Sequence, residues 1–108
     1  MINPEEKMRS NDTATTETPD LYGRNYFEKH FDPPYNRGEP RWLTFLNSVV
    51  EEVIRSLNPR SVLDAGCAIG FLVEAFWHRG VRTWGIDISE YAISQVPQDH
   101  KAFCRCIP

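Results

Sequence analysis

Apolar residues recur at spacings of three and four between Arg41 and Leu57, which places one hydrophobic stripe along a helix. Polar and charged residues occupy the positions between them, so the pattern predicts an amphipathic helix with one buried face. Asn58-Pro59 ends this helix, because proline lacks the backbone N–H and disfavours a helical conformation in the residue before it. The stripe consists of Trp42, Leu46, Val49, Val50, Val53 and Leu57.

After this helix the pattern changes to short apolar runs separated by turn residues. Three of these runs predict strands, and the first has the composition of a parallel strand that is buried on both faces. They are Val62-Leu63, residues 81–86 and residues 102–107. Two stretches between them predict helices, one from Phe71 to a closing Gly80, the other capped by Ser89 and ended by Pro97.

The order helix, strand, helix, strand, helix, strand is typical of a parallel sheet with right-handed crossover helices. We therefore predict an α/β fold: a Rossmann-like, doubly wound parallel sheet, truncated after about the third strand, with an N-terminal helical extension. This partial domain covers residues 41–108 and follows an aromatic segment at residues 21–40. Residues 1–20 have little to bury and are expected to form a disordered tail.

Composition narrows the class of protein. An apolar fraction of 41% and a charged fraction of 25% over 108 residues fit one soluble domain. The net charge of -3 indicates no nucleic-acid partner, and the absence of an apolar run of about 20 residues argues against a membrane span. The N-terminus has no signal-peptide core, and three cysteines suggest no disulfide framework. We expect a reduced, cytoplasmic protein.

The turn after the first predicted strand, Asp64-Ala65-Gly66-Cys67-Ala68-Ile69-Gly70, contains several small residues. It lies at the carboxyl edge of the sheet, where ligands of open α/β sheets bind. Gly66 can adopt backbone conformations that other residues avoid and lets a ligand approach the main chain. Ala68 allows a similar approach if its φ is negative, and Gly70 would let the next helix pack closely.

A second acid, Asp87, follows the second strand 21 residues after Gly66. A carboxylate at this strand end can accept hydrogen bonds from ribose hydroxyls. The dinucleotide motif G-x-G-x-x-G does not fit, because Ala68 and Phe71 occupy two of its glycine positions. Simpler hypotheses remain open: Asp64 as a helix cap and Asp87 as a turn residue.

From Arg60 to about Val96 the chain resembles the cofactor half of class I S-adenosylmethionine-dependent methyltransferases, whose turn is D-x-G-x-G-x-G, with Ala68 in place of one glycine. The resemblance implies S-adenosylmethionine as cofactor. It implies that Asp87 binds both ribose hydroxyls, that Ile88 lies against adenine and that Asp64 meets the methionine end. The same turn would bring Ala65, Gly66, Cys67, Ala68 and Gly70 to the cofactor.

In that family the acceptor-binding residues and any general base come largely from the fourth strand onward, so no catalytic residue is named in this chain. The resemblance implies an unidentified, small-molecule methyl acceptor, and the chain alone is expected to be inactive. Two other hypotheses stay open: a non-catalytic scaffold or regulatory domain, and an NAD-binding dehydrogenase half. A sheet that stops after three strands would leave the first strand with an open edge, through which two copies could associate.

The aromatic segment has two interpretations. It is either a lid over the cofactor, with Tyr26 and Tyr35 as the residues to test, or a set of rings packed on the Trp42 helix. Cys104, Cys106 and His100 lie close in sequence but lack the four ligands of a structural zinc site, so no metal is predicted.

Overall fold

The computed structural model describes residues 21–108, so the predicted tail at residues 1–20 lies outside the described residues. Helix α1 precedes the long helix α2, and the remaining elements alternate between strand and helix. In chain order they are α1 Arg24–Lys29, α2 Pro40–Leu57, β1 Ser61–Ala65, α3 Phe71–His78, β2 Arg82–Asp87, α4 Glu90–Ser94, a 3-10 helix Gln98–Phe103 and β3 Cys104–Cys106.

Helix α2 confirms the predicted amphipathic helix to within one residue, but Leu57, the last residue of the predicted stripe, is wrong: it is 73% exposed at the end of the helix. Pro40 occupies its first turn, and the Glu39 side chain caps it by accepting a hydrogen bond from the Arg41 backbone N–H (3.2 Å). Asn58 ends it in a left-handed conformation, with φ 43°. Its apolar stripe buries Val50 in a cluster with Ala75 and Phe76 of α3.

The three strands form one parallel sheet in the order β1-β2-β3, which confirms the predicted α/β, Rossmann-like arrangement. Ser61 is in register with Arg82, and Gly85 is in register with Cys104. The carboxyl ends of β1 and β2 therefore meet at one edge, where Ala65 pairs with Ile86 and Asp87 follows.

Two details of the predicted strands are wrong. Strand β1 is not buried on both faces: Leu63 is 63% exposed, and Trp84, in register with it on β2, is 40% exposed. In the described residues, the helices cover only the other face of the sheet, on which Val62 and Thr83 lie. Strand β3 is also shorter than predicted, because residues 98–103 form a 3-10 helix before it.

Strand β1 forms one edge of the sheet in the described part of the chain. Association of two copies through this edge stays a prediction. None of the helices described combines the length and hydropathy needed to cross a bilayer.

Gly85, in the middle of β2, makes room for the turn that follows β1. A Cβ atom at this position would lie 2.6 Å from the Cβ and 2.7 Å from the Sγ of Cys67, and 2.9 Å from Cγ2 of Val73. Cys67 and Val73 are buried together with Val96 and Cys104. The turn can lie directly on the sheet because β2 has no side chain there.

Gly85→Ala is expected to lower the free energy of unfolding by about 1–3 kcal/mol, the usual cost of overpacking a dense core. Chemical denaturation measures the change. Gly38→Ala is the matched control, because its added Cβ meets only the end of the Asn36 side chain at 3.2 Å. Equal stability of Gly85→Ala and the starting protein would contradict the close approach described here.

Candidate ligand-binding site

The turn between β1 and α3 has a left-handed backbone at three of five consecutive residues. The φ angles are 88° at Gly66, 51° at Ala68 and 87° at Gly70. Glycine adopts such angles freely, whereas alanine loses about 1–2 kcal/mol there. The expectation of a negative φ at Ala68 is therefore wrong: the turn keeps the geometry of a glycine at this position.

Four backbone N–H groups of this turn are bonded inside the protein. Those of Gly66 and Cys67 both donate to the carbonyl of Ile86 (2.7 and 2.9 Å), and that of Gly70 donates to the carbonyl of Cys67 (3.0 Å). The N–H of Ala68 donates to Oδ2 of Asp87 (2.8 Å). The turn is thus closed on itself and on β2, and these four groups are not free to bind a ligand.

Asp87 joins the two turns at this edge of the sheet. Besides the bond from Ala68, its Oδ1 accepts a hydrogen bond from the backbone N–H of Ser89 (2.9 Å), at the start of α4. Asp87 therefore stabilises both turns, and its binding of ribose hydroxyls stays a prediction. Each carboxylate oxygen has a second lone pair, so the group keeps acceptor capacity for a ligand.

A cavity of about 580 Å³ opens beside this turn, a volume within the usual range for small-molecule sites. Most of the residues that line it are aromatic or aliphatic. Among the described residues, the charged one in this lining is Asp87. Six of the predicted site residues belong to the wall: Tyr26, Tyr35, Gly66, Ala68, Asp87 and Ile88. The other lining residues are Tyr22, Phe27, Phe31, Trp42, Leu46, Ile86 and Ile107.

The rings of the aromatic segment pack on the neighbouring helices and also line the cavity, and a lid over a cofactor stays a prediction. The Tyr35 ring lies 4.8 Å from that of Trp42 and 5.2 Å from that of Phe71, so it packs on α2 and α3. The Tyr26 ring lies 5.0 Å edge-on to that of Phe27, which is buried. The same rings form one side of the cavity. Residues 21–40 are therefore both packing aromatics and part of the cavity wall.

Asp64, Ala65, Cys67 and Gly70 lie outside this wall, and their role in cofactor binding stays a prediction. Cys67 directs its sulfur at Gly85 instead, and Gly70 has a different packing role from the one expected. A Cβ on Gly70 would meet Val96 at 3.2 Å, so its lack of a side chain accommodates the chain after α4. Asp64 does not cap α3, whose N-cap is Gly70.

Burial changes the acidity of groups around the turn. It raises the pKa of Asp64 above the usual range, and the Asp87 carboxylate adds to the increase. Burial also raises the pKa of Tyr35, again with help from Asp64, so the phenol is neutral at physiological pH. The pKa of the Cys67 thiol is raised by its hydrogen bond with Cys104 and by burial, which makes it a poor nucleophile.

The roles of two residues at the site were not predicted from the sequence. One is Ile107, which lines the cavity. Because β3 pairs with β2, the backbone N–H of Ile107 donates to the carbonyl of Asp87 (2.9 Å). The other is Arg37, whose partners are 32 to 58 residues away in the chain. A single arginine in an aromatic loop carries no sequence signal for such partners. In residues 21–108, no three His, Cys, Asp or Glu side chains gather as metal ligands.

The chain has distant structural similarity to a solved methyltransferase structure. No protein-family model matches the chain, and no curated protein matches it. Among solved structures, the chain is similar to the plantazolicin methyltransferase BpumL in complex with SAH, with 22% sequence identity and a TM-score of 0.42. The match covers 82% of this chain and 38% of that one.

Ala68→Gly is expected to raise the free energy of unfolding by about 0.5–1 kcal/mol, because relief of left-handed strain exceeds the added entropy of the unfolded chain. Thermal and chemical unfolding measure the effect. Ala102→Gly, at an exposed position of the 3-10 helix, is the control and should lower stability slightly. Destabilisation by Ala68→Gly would contradict the observed turn geometry.

Asp64→Asn is expected to stabilise the protein at neutral pH and to lose this advantage in acid. Because the pKa of Asp64 is higher in the folded than in the unfolded state, the folded protein binds the proton more tightly. The charged carboxylate thus costs stability above the folded-state pKa, and the cost disappears as pH falls through that value. The test is a series of chemical denaturation measurements from about pH 7 down to about pH 3.5. The acidic end of this range lies near the ordinary pKa of aspartate.

The exposed Asp99, changed to Asn, serves as the control for this pH series. Its stability difference from the starting protein should vary much less with pH. An advantage of Asp64→Asn that persists unchanged at the acidic end would contradict the raised pKa.

Proposed function

We propose that the cavity binds the adenosyl part of S-adenosylmethionine, and that the chain is the cofactor-binding portion of a methyltransferase with a small-molecule acceptor. The single observation that carries this proposal is the closed turn. Its N–H groups at Gly66, Cys67, Ala68 and Gly70 are all bonded within the protein, and the Ala68 N–H is bonded to a carboxylate.

The closed turn favours an uncharged nucleoside over a dinucleotide. Sites for pyrophosphate bind it with free backbone N–H groups of the turn and of the helix N-terminus. Here the N–H groups of Gly66, Cys67, Ala68 and Gly70 have partners within the protein, and the partner of Ala68 is the Asp87 carboxylate (2.8 Å). A nucleoside has hydroxyls that donate to a carboxylate, which makes Asp87 a favourable partner.

The aromatic side of the cavity supports a cationic group on the ligand. Rings of Tyr22, Tyr26 and Tyr35 line the wall, and a cation above an aromatic face is attracted by the ring quadrupole. A sulfonium is such a cation, and the neutral phenol of Tyr35 keeps the wall uncharged on that side. The cavity thus combines a carboxylate for sugar hydroxyls with rings for a positive charge.

The described residues fit this cofactor in three further respects. The space beside the Gly66 backbone is open, since a Cβ there would meet no atom within 4 Å. Ile88 is exposed in the cavity and offers an apolar surface to a base, and Asp87 would hold the ribose. When bound, S-adenosylmethionine supplies an activated methyl group. The protein's part is then to orient it and keep water away.

Two other functions are distinguished by ligand binding. A dehydrogenase half would bind NAD, whose pyrophosphate would find no free N–H group at Gly66, Cys67, Ala68 or Gly70. A scaffold or regulatory domain with this fold would bind neither compound. Methyl-transfer activity and a small-molecule acceptor are part of the methyltransferase proposal, and ligand binding tests only its cofactor half.

The test is a calorimetric titration of S-adenosylhomocysteine into the purified chain, with NAD as the comparison ligand. We expect saturable binding of S-adenosylhomocysteine and no response to NAD. Asp87→Ala should weaken binding by about tenfold or more, the factor expected for loss of a charge-assisted hydrogen bond.

Asp99→Ala is the matched control, because it removes an exposed aspartate at the start of the 3-10 helix. It should bind like the starting protein. NAD binding as tight as that of S-adenosylhomocysteine would favour the dehydrogenase half. No binding of either ligand by a folded chain would reject the proposal for this chain.

A further inference from the structure

Arg37 connects the aromatic segment to three other elements of the protein. Its Nη2 donates to the carbonyl of Ile69 (2.7 Å), and its Nη1 forms an ion pair with Oε2 of Glu74 (2.7 Å). Its Nε lies 3.4 Å from the carbonyl of Gln95. The planar guanidinium presents several donors at fixed angles, so one side chain can serve all three acceptors.

The acceptors belong to the parts of the fold that surround the cavity turn. Ile69 lies in the turn, between Ala68 and Gly70, Glu74 lies in the first turn of α3, and Gln95 follows α4. The side chains of Arg37 and Glu74 are only 33% and 20% exposed. Ion pairs shielded in this way hold their geometry better than fully solvated surface pairs.

The loop that carries Arg37 also carries one side of the cavity wall. Tyr35, two residues earlier, is held by its backbone N–H to the carbonyl of Phe27 (2.9 Å) and by its ring against Trp42. The Arg37 guanidinium lies 4.8 Å from the ring centre of Phe71, which also contacts Tyr35. Arg37 itself is not part of the wall, so it would act on a ligand only through these neighbours.

We propose that Arg37 is a positioning residue: by binding Ile69, Glu74 and Gln95 together, it holds the aromatic wall against the cavity turn in the geometry that binds ligand. The role in ligand binding rests on the proposed function of the cavity. Loss of Arg37 lets the loop around Tyr35 move away from the turn, which enlarges the cavity and exposes Trp42.

Arg79 provides a matched control elsewhere in the fold. It also joins separate elements through one ion pair and one backbone carbonyl: Nη2 pairs with Glu51 (2.9 Å) and Nη1 bonds the Ala75 carbonyl (3.1 Å). A third bond reaches Asn47 of α2 (2.8 Å). These contacts fasten α2 to the end of α3, and none of these residues lines the cavity. Arg79→Ala therefore measures the general effect of losing such an arginine.

The first experiment measures two quantities, the affinity for S-adenosylhomocysteine and the melting temperature. Both are compared between the starting protein and the variants Arg37→Ala, Arg37→Lys and Arg79→Ala. We expect Arg37→Ala to weaken binding by about tenfold or more. Arg37→Lys should be intermediate, since lysine keeps the charge beside Glu74 but not the forked geometry. Arg79→Ala should lower the melting temperature as Arg37→Ala does, yet bind within about twofold of the starting protein, as expected for a distant site.

A second measurement detects movement of the aromatic wall in the absence of ligand. In a Trp77→Phe, Trp84→Phe background, Trp42 is the remaining tryptophan, and acrylamide quenching of its fluorescence reports its exposure. Arg37→Ala should increase quenching of Trp42, and Arg79→Ala should not. This measurement keeps the positioning role testable if S-adenosylhomocysteine does not bind, an outcome that rejects the proposed function alone.

Three outcomes overturn the positioning role. The first is binding by Arg37→Ala within about twofold of the starting protein, and the second is an equal loss of binding in Arg79→Ala. The third is Trp42 quenching that Arg37→Ala leaves unchanged.

Discussion

The rest of the candidate site depends on the Asp87 carboxylate, which accepts one hydrogen bond from Ala68 and one from Ser89. These bonds fix the turn after β1 relative to the turn after β2, and so define the edge of the sheet where the cavity opens. The arrangement also places a carboxylate in the wall of the cavity. One side chain thus joins the two turns and contributes a charged group to the cavity wall.

Small residues let the structure close around that carboxylate. Gly85 permits the Cys67 sulfur to lie on the sheet, and Gly70 permits Val96 to approach the turn. The buried side chains of Cys67 and Val96 occupy the space beside these two glycines. On the opposite side the cavity is bounded by bulky rings, which pack on α2 and α3 as well as facing inward. The site therefore combines a tightly packed base with a broad aromatic wall.

The sequence predicted those features that depend on local pattern. Neighbouring residues encode the helix stripe from Trp42 to Val53, the order of strands and helices, and the left-handed glycine at Gly66. The exposure of Leu63 was not predictable, because an apolar pair such as Val62-Leu63 looks the same whether one face of the strand is covered or both are.

Other features depended on contacts that a linear pattern does not contain. The positive φ of Ala68 follows from its bond to Asp87, 19 residues later, and contradicts the intrinsic preference of alanine. Arg37 finds its acceptors only after the loop, α3 and the end of α4 have come together. Cys104 and Cys67 are adjacent because β3 pairs with Gly85 of β2, which depends on strand register.

The cavity is assembled from distant parts of the chain, and this has a consequence for biosynthesis. Its wall extends from Tyr22 to Ile107, and the Ser89 hydroxyl donates to the carbonyl of Tyr22 across 67 residues. Contacts of such long separation form late, because the intervening chain must first be ordered. During synthesis from the N-terminus, the aromatic residues leave the ribosome well before β3 and have no complete surface to pack against. They are therefore exposed to chaperones, and to other nascent chains, until β3 has been synthesised and can pair with β2.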